Sequence, residues 1–171
     1  GLNIEKSGDE YVNREDGKKF DDAIKAFKAE EVEDLPVEAF EDIEVVRRLS
    51  GDQLAKLPKS KEHRAAFTST ILRLRKSMTS EKFDAYMGKT FAKAEAVDAL
   101  TPELLANKDI VRNLTNGHLK RLNGSDKKKH REAILDVIND PDKFTDADLR
   151  EFAKKNFAKG KDIEDIHPDF L

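Results

Sequence analysis

Residues 91–105 read FAKAEAVDALTPELL, and similar stretches occur at residues 27–40 (FKAEEVEDLPVEAF) and at residues 157–171 (FAKGKDIEDIHPDFL). Each copy begins with Phe, continues through a charged segment and ends at a helix start that contains Pro. The copies are separated by about 65 residues. Recurrence at such a period is typical of proteins built from stacked structural repeats. The sequence therefore predicts a repeat architecture.

The apolar positions between these stretches also recur. Leu35, Val46, Leu49, Leu54 and Leu57 are repeated 65 residues later as Leu100, Val111, Leu114, Leu119 and Leu122. Most charged positions differ between the copies. This is the pattern of a stacked array, in which each unit buries one face against its neighbour and leaves the other face free to vary.

The predicted fold is an all-α tandem helical-repeat array, resembling an α-superhelix, with two full units of about 65 residues. Partial units lie at both ends. The predicted segments are a polar lead-in (residues 1–17), the closing helix of a partial repeat (18–34), repeat unit 1 (35–99), repeat unit 2 (100–165) and the start of a truncated third unit (166–171).

Composition supports a helical fold. Hydrophobic residues make up 37% of the chain and charged residues 39%, yet 32 Lys and Arg nearly balance 35 Asp and Glu. Mixed charge with regularly spaced apolar residues indicates amphipathic helices rather than disorder. Pro and Gly are few, and no run of alternating apolar residues predicts a sheet. No apolar run approaches the roughly 20 residues that would span a membrane.

Local signals place the helix starts. Ser50 and Gln53 have the spacing of a capping box. Ser60 is expected to cap a long helix, and Thr79 or Ser80 the next one. Thr101 is expected to cap a helix whose first residue is a proline, a favoured arrangement.

The chain carries no signature of catalysis or of metal binding. It contains no Cys, so thiolate ligands and cysteine nucleophiles are excluded. The four histidines (His63, His118, His130 and His167) lack the spacing of a metal site. The acidic run at residues 139–148 departs from a calcium-binding loop, since Phe and Thr stand where a ligand and Gly are needed. We therefore predict no enzyme activity, and no catalytic, cofactor-binding or metal-binding residues.

Two features leave other functions open. The basic run from Lys127 to Arg131, together with Arg64, Arg73, Arg75 and Lys76, could form a basic strip that binds nucleic acid or an anionic surface. A solvated helix face is the simpler interpretation, because the net charge of the chain is −3. The N-glycosylation triplets at Asn113 and Asn123 favour a secreted or extracellular protein.

The short helices opened by L-x-P-E-L-L and S-x-x-Q-L-x-x-L resemble those of superhelical cell-surface proteins of the mesothelin and stereocilin group. The resemblance covers residues 35–122 and includes no family-specific motif, so we assign no family. Tandem helical effectors of plant pathogens are a second comparison, but this chain has no Trp and no R-x-L-R motif.

These observations predict a non-catalytic scaffold or adhesive module that binds another protein. The expected contact surface is the polar face of the two long helices, residues 60–76 and 125–138. One alternative is a secreted microbial effector or surface antigen that acts on a host protein. A second alternative is binding to nucleic acid or an anionic surface through the basic strip.

Overall fold

The computed structural model describes residues 4–7, 10–13 and 29–171, with side chains from residue 32 onward. Regular structure in the described chain is mostly helical, which confirms the predicted all-α class for this part of the protein. The chain forms two compact units, residues 1–77 and residues 78–171.

The helices are short, and most contain one or two turns. In the first unit they are the 3-10 helices Ala29–Asp34 and Val37–Glu41, followed by α1 (Ile43–Arg48), α2 (Gly51–Ala55) and α3 (Lys61–Lys76). In the second unit the α-helices are α4 (Ser80–Thr90), α5 (Pro102–Leu105), α6 (Lys108–Arg112), α7 (Asn116–Lys120), α8 (Lys128–Ile138), α9 (Asp146–Phe157) and α10 (Gly160–Ile163). The 3-10 helices of the second unit are Ala94–Ala99, Ser125–Lys127 and Pro168–Phe170. Helices this short are stabilised mainly by packing.

The N-terminal segment differs from the prediction. Strands β1 (Ile4–Ser7) and β2 (Glu10–Asn13) pair antiparallel, with Ile4 opposite Asn13. The sequence signal for this hairpin was the pair Gly8-Asp9 between two four-residue segments, which is a typical hairpin connection. The segments were too short and too polar to be recognised as strands. Of the predicted closing helix at residues 18–34, residues 29–34 form a 3-10 helix and residues 18–28 lie outside the described residues.

The predicted helix starts are confirmed. Ser50 and Gln53 form a complete capping box at α2. Ser60 accepts a hydrogen bond from the backbone of His63 at the start of α3, and Thr79 caps α4. Thr101 caps α5, with Pro102 at its first position. Each cap satisfies a backbone N–H that would otherwise have no partner within its helix.

Each unit builds its interior by packing one longer helix against shorter ones. In the first unit, α3 packs against α1 and the 3-10 helix Val37–Glu41. In the second unit, α8 packs against α5 and α6, while α7 packs against α9 and the 3-10 helix Ala94–Ala99. The fully buried side chains include Phe40, Leu54, Phe67 and Ile71 in the first unit and Phe83, Leu104, Leu119 and Ile134 in the second. On the polar sides of these two longer helices, Ala65 and Ser69 of α3 and Glu132 and Asp136 of α8 are exposed.

Candidate interaction surface

A shallow groove runs between α3 and the 3-10 helix Val37–Glu41 in the first unit. Its volume is about 510 Å³. The lining residues are Val37, Glu41, Glu62, Ala65, Ala66, Ser69, Thr70 and Arg73. The middle of the groove is formed by the small side chains of Ala65 and Ser69, which are exposed. A partner's backbone or side chain can therefore approach α3 closely there.

Hydrogen bonds fix the walls of this groove. The Thr70 hydroxyl lies 2.6 Å from the Phe40 carbonyl and 2.9 Å from the Ala66 carbonyl. Arg73 donates to the Glu41 carbonyl and, at 3.1 Å, to the Thr70 hydroxyl. The groove is thus held in shape by contacts between α3 and the 3-10 helix, and little rearrangement would be needed for binding.

The exposed face of α8 in the second unit has a different chemistry. Lys128, Glu132 and Asp136 are exposed on α8, where the corresponding residues of α3 are Lys61, Ala65 and Ser69. The Lys128 ammonium lies 3.9 Å from the Glu132 carboxylate. The small, uncharged middle of the α3 face is therefore replaced by two carboxylates on α8.

The basic run at residues 127–131 does not present all of its charges to solvent. Arg131 is only 4% exposed. Its Nη1 donates to the carbonyls of Leu122 and Gly124, both at 2.7 Å, and its Nε lies 3.1 Å from the Asp169 carboxylate. Arg131 therefore fixes the chain before α8 and anchors the C-terminal residues.

Two arginines of the first unit are engaged in the same manner. Arg64 donates through Nε to the Pro58 carbonyl at 3.0 Å and through Nη2 to the Leu57 carbonyl at 3.2 Å. Arg73 bonds to the Glu41 carbonyl. Sequence reasoning missed these roles, although the matched positions of Arg64 and Arg131 were a signal that both side chains serve the fold.

A polar cluster joins α4, α6 and α9 in the second unit. The Asp84 carboxylate accepts hydrogen bonds from Arg112 at 2.7 Å and from the Asn113 amide at 2.9 Å. Arg112 also lies 3.0 Å from the Asp109 carboxylate. Lys155 donates to the Arg112 carbonyl at 2.9 Å. These contacts connect three helices through one charged network.

Partial burial and neighbouring charges shift the pKa values of two cations in this cluster. Burial lowers the pKa of Arg112, but the carboxylates of Asp84 and Asp109 more than offset this effect and raise the pKa above its ordinary value. Burial also lowers the pKa of Lys155; Arg112 acts in the same direction, and the nearby Asp84 opposes it. Because opposite charges lie within contact distance, the geometry fits a structural ion-pair network.

His118 occupies a buried position at the start of α7, with 1% of its surface exposed. Its Nδ1 accepts a hydrogen bond from the Thr115 backbone N–H at 2.9 Å, completing a capping box. The other ring nitrogen, Nε2, lies 3.1 Å from the Lys93 carbonyl. These two partners require the neutral ring with its proton on Nε2. The role of His118 was not predicted, because Thr-x-x-His is not a usual capping-box pattern.

Acid is expected to destabilise the second unit through His118. Burial lowers the pKa of His118 even though its hydrogen bond to the Lys93 carbonyl opposes the shift. The unfolded chain, with a histidine pKa of about 6.5, therefore binds the proton first as pH falls. Stability should be complete above that pH and decrease below it. Urea unfolding at several pH values between neutral and mildly acidic measures how the free energy of unfolding changes with pH.

The matched control is a variant with glutamine at position 118. Glutamine occupies the corresponding capping position of α2, where it is Gln53. His118→Gln retains a side-chain acceptor for the Thr115 N–H and removes the titration. The variant is expected to lose less stability than the wild type over the same pH interval. An equal pH dependence of the free energy of unfolding in both proteins would show that other groups cause the acid sensitivity.

The two glycosylation triplets lie in different surroundings. The amide nitrogen of Asn113 donates to Asp84 and, at 2.7 Å, to the Asp109 carbonyl, and the residue is half-buried. Asn123 is exposed and lies between α7 and the 3-10 helix Ser125–Lys127. Its amide donates to the Asp165 carbonyl. Of the two acceptor asparagines, Asn123 is therefore the more open to solvent.

The histidines and the acidic run have structural partners. His63 Nε2 lies 2.9 Å from the Leu35 carbonyl. In the acidic run, Thr145 and Asp148 form the capping box of α9. Within residues 32–171, no cluster of three or more His, Asp or Glu side chains could hold a metal ion.

No described helix is long and apolar enough to cross a membrane. Comparison of the chain with protein-family models, with curated proteins and with solved structures finds no match in any of the three.

Proposed function

We propose that this protein is a non-catalytic helical-repeat scaffold that binds another protein. The proposal rests chiefly on the contrast between α3 and α8. Their inward-facing positions are occupied by similar residues, such as the buried Phe67 and Ile134, whereas their exposed positions differ in size and charge. Stacked repeats use this combination to present variable binding surfaces on a constant framework.

The order of elements supports a division into repeat units at residues 35–99 and 100–165. Helix α1 begins at Ile43 and α6 at Lys108; α2 begins at Gly51 and α7 at Asn116. Both pairs of starts are 65 residues apart. In each segment a 3-10 or short α-helix precedes these two helices, and two longer helices follow them.

Side-chain contacts within the two segments also correspond. Arg64 bonds to the carbonyl of Leu57, and Arg131 bonds to the carbonyl of Leu122, which lies 65 residues after Leu57. A capping box opens α2 and another opens α7. Corresponding contacts of this kind support a common unit more strongly than shared helix content does.

The compact units and the proposed repeat units have different boundaries. The compact units divide after Ser77, whereas the proposed repeats divide after residue 99. Helix α4 packs against α6 and is therefore grouped with the second compact unit. Such a difference is expected in an array whose last helix packs against the following repeat.

We propose the α3 groove as the contact surface of the first unit. Small residues in its middle allow a partner helix to lie close to α3, while Glu62 lies at one end of the groove and Arg73, beside the exposed Glu41, lies at the other. A partner segment with one apolar side chain over Ala65 and Ser69 and a basic residue facing Glu62 would complement this arrangement. The shape is suited to protein recognition through a helix in a groove.

Site-specific photocrosslinking tests this function. A photoreactive phenylalanine analogue at position 69 should capture one defined protein, whereas the same group at Asp136 of α8 should not. The captured protein is then purified, and its Kd for the chain is measured by calorimetry. Ala65→Arg should weaken binding at least about tenfold by filling the groove, while the control Glu132→Arg should leave the Kd within about twofold.

Two results would contradict the proposal. Equal capture at positions 69 and 136 would indicate nonspecific labelling. An unchanged Kd in Ala65→Arg would place any partner elsewhere on the molecule. Circular dichroism of both variants checks that the helices are retained.

Nucleic-acid binding has weaker support. Lys128 and Lys129 are exposed, but Arg131 is buried against carbonyl groups and Asp169. Glu132 and Asp136 add negative charge to the exposed face of α8. A phosphate backbone would meet mixed charge on this helix rather than a continuous basic strip.

A secreted effector or surface antigen is compatible with the same architecture and differs only in the partner. The exposed triplet at Asn123 is the observation that favours this alternative. Glycan mass on Asn123 in the protein isolated from its native source would support it.

A further inference from the structure

Two Asn-Gly pairs in the second unit lie in contrasting environments. Asn116 and Gly117 form the first turn of α7, and both are half-buried. Asn123 and Gly124 lie outside the helices and are both exposed. The two pairs are only seven residues apart, so each provides an internal comparison for the other.

The Asn-Gly pair is chemically reactive because glycine has no side chain to hinder the approach of its backbone nitrogen. That nitrogen attacks the asparagine Cγ, a C–N bond forms, and the side-chain nitrogen leaves as ammonia. Water then opens the resulting succinimide at either carbonyl, giving aspartate or isoaspartate. Solvent supplies the water, and the reaction requires no oxidant, reductant or enzyme.

The fold restrains Asn116 at several points. Its amide donates to the Asn156 carbonyl at 2.8 Å and to the Asp162 carbonyl at 2.6 Å. Its backbone is part of α7, which keeps Gly117 in helical geometry. Attack on Asn116 would require both hydrogen bonds to break and the first turn of α7 to open.

The Asn123 side chain has one described hydrogen bond, from its amide to the Asp165 carbonyl, and the neighbouring backbone is held by Arg131 through the Leu122 and Gly124 carbonyls. Asp165 has a positive φ of 62°, in the left-handed region, which Asp adopts more readily than most residues other than Gly. The Asn123 amide therefore helps to hold the turn at Asp165, which lies within the C-terminal segment, residues 160–171.

We propose that Asn123 is a site of spontaneous deamidation and that its conversion loosens the attachment of residues 160–171. The reason is chemical: the product carboxylate has no N–H to donate, and it places a negative charge against the Asp165 carbonyl oxygen. Other hydrogen bonds to this segment come from the amide of Asn116, the ammonium of Lys120 and the guanidinium of Arg131, and the Ile166 side chain is buried.

Peptide mass spectrometry tests the first part. The folded protein is incubated at mildly alkaline pH and digested with trypsin, which gives residues 113–120 and 122–127 as separate peptides. The mass increase that accompanies replacement of NH₂ by OH should accumulate at Asn123 at least about tenfold faster than at Asn116. In urea the two rates should become similar, because the fold no longer distinguishes the pairs.

Folded-state rates within about twofold of each other, or a faster reaction at Asn116, would overturn the proposed selectivity. Asn123→Gln is the matched control variant. Glutamine keeps an amide donor, but attack by the following backbone nitrogen would have to form a larger ring than the succinimide. No mass increase is expected at position 123 in this variant.

Hydrogen exchange tests the second part. Asn123→Asp reproduces the aspartate product, in which the main chain keeps its normal connectivity. In this variant the backbone amides of residues 160–171 should exchange faster than in the wild type. The amides of α3, which belongs to the first unit, provide the control and should be unchanged. Unchanged exchange at residues 160–171 would show that the Asn123 amide does not hold this segment.

Discussion

Replacing Leu54 or Leu119 by alanine is expected to lower the free energy of unfolding by about 2 to 5 kcal/mol. Both side chains have 0% exposed surface. Leu54 lies in α2 and Leu119 in α7, two helices of only five residues each. Each leucine is therefore a main attachment of a short helix to its unit, and truncation leaves a cavity in addition to the lost apolar contacts.

Urea unfolding followed by far-ultraviolet circular dichroism measures both losses. Glu132→Ala is the control, because Glu132 lies in a helix but is exposed. Its effect should remain within about 0.5 kcal/mol. A loss below about 0.5 kcal/mol at both leucines would show that they are not core residues and would contradict the helix register.

Arg131→Ala is expected to lower the free energy of unfolding by about 2 to 4 kcal/mol, since the Leu122 and Gly124 carbonyls would lose charged hydrogen-bond donors. The Asp169 carboxylate is 43% exposed, so it can be rehydrated and adds less to the loss. Urea unfolding measures the change, and hydrogen exchange at the backbone of residues 168–171 reports release of the C-terminus.

The variant Arg131→Lys separates the geometry of the Arg131 side chain from its charge. Arg131→Lys retains the charge but lacks the planar guanidinium that reaches three acceptors, so it should lose more than half of the stability lost in Arg131→Ala. Arg64→Ala should have a smaller effect than Arg131→Ala, because Arg64 is less buried than Arg131. Full stability in Arg131→Lys would show that charge alone matters.

The helix starts and the core were accessible from the sequence because their causes are local. A capping serine or threonine bonds to a backbone group two or three residues ahead, as Ser60 does with His63. Apolar spacing likewise places Leu54 and Phe67 inside without reference to distant residues. The choice between 3-10 and α geometry was not accessible, because the sequence signals for the two overlap in helices this short.

The interaction surface was only partly accessible. The sequence indicated that the polar face of α3 is exposed, but the groove depends on how Val37–Glu41 packs beside that helix. The basic run was interpreted as a solvated face or a binding strip. Neither interpretation anticipated that Arg131 would be buried, because charged residues in a lysine-rich run are usually exposed.

The sequence by itself determined the helical class, the helix caps at Ser50, Ser60, Thr79 and Thr101, and core residues such as Leu54 and Leu119, since these follow from side-chain type and spacing within a few residues. Tertiary structure alone decided the partners of Arg131, the buried state of His118 and the different exposure of Asn116 and Asn123. Arg131 meets Asp169 across 38 residues, and Asn123 meets Asp165 across 42. Such contacts depend on the path of the folded chain, which local spacing does not specify.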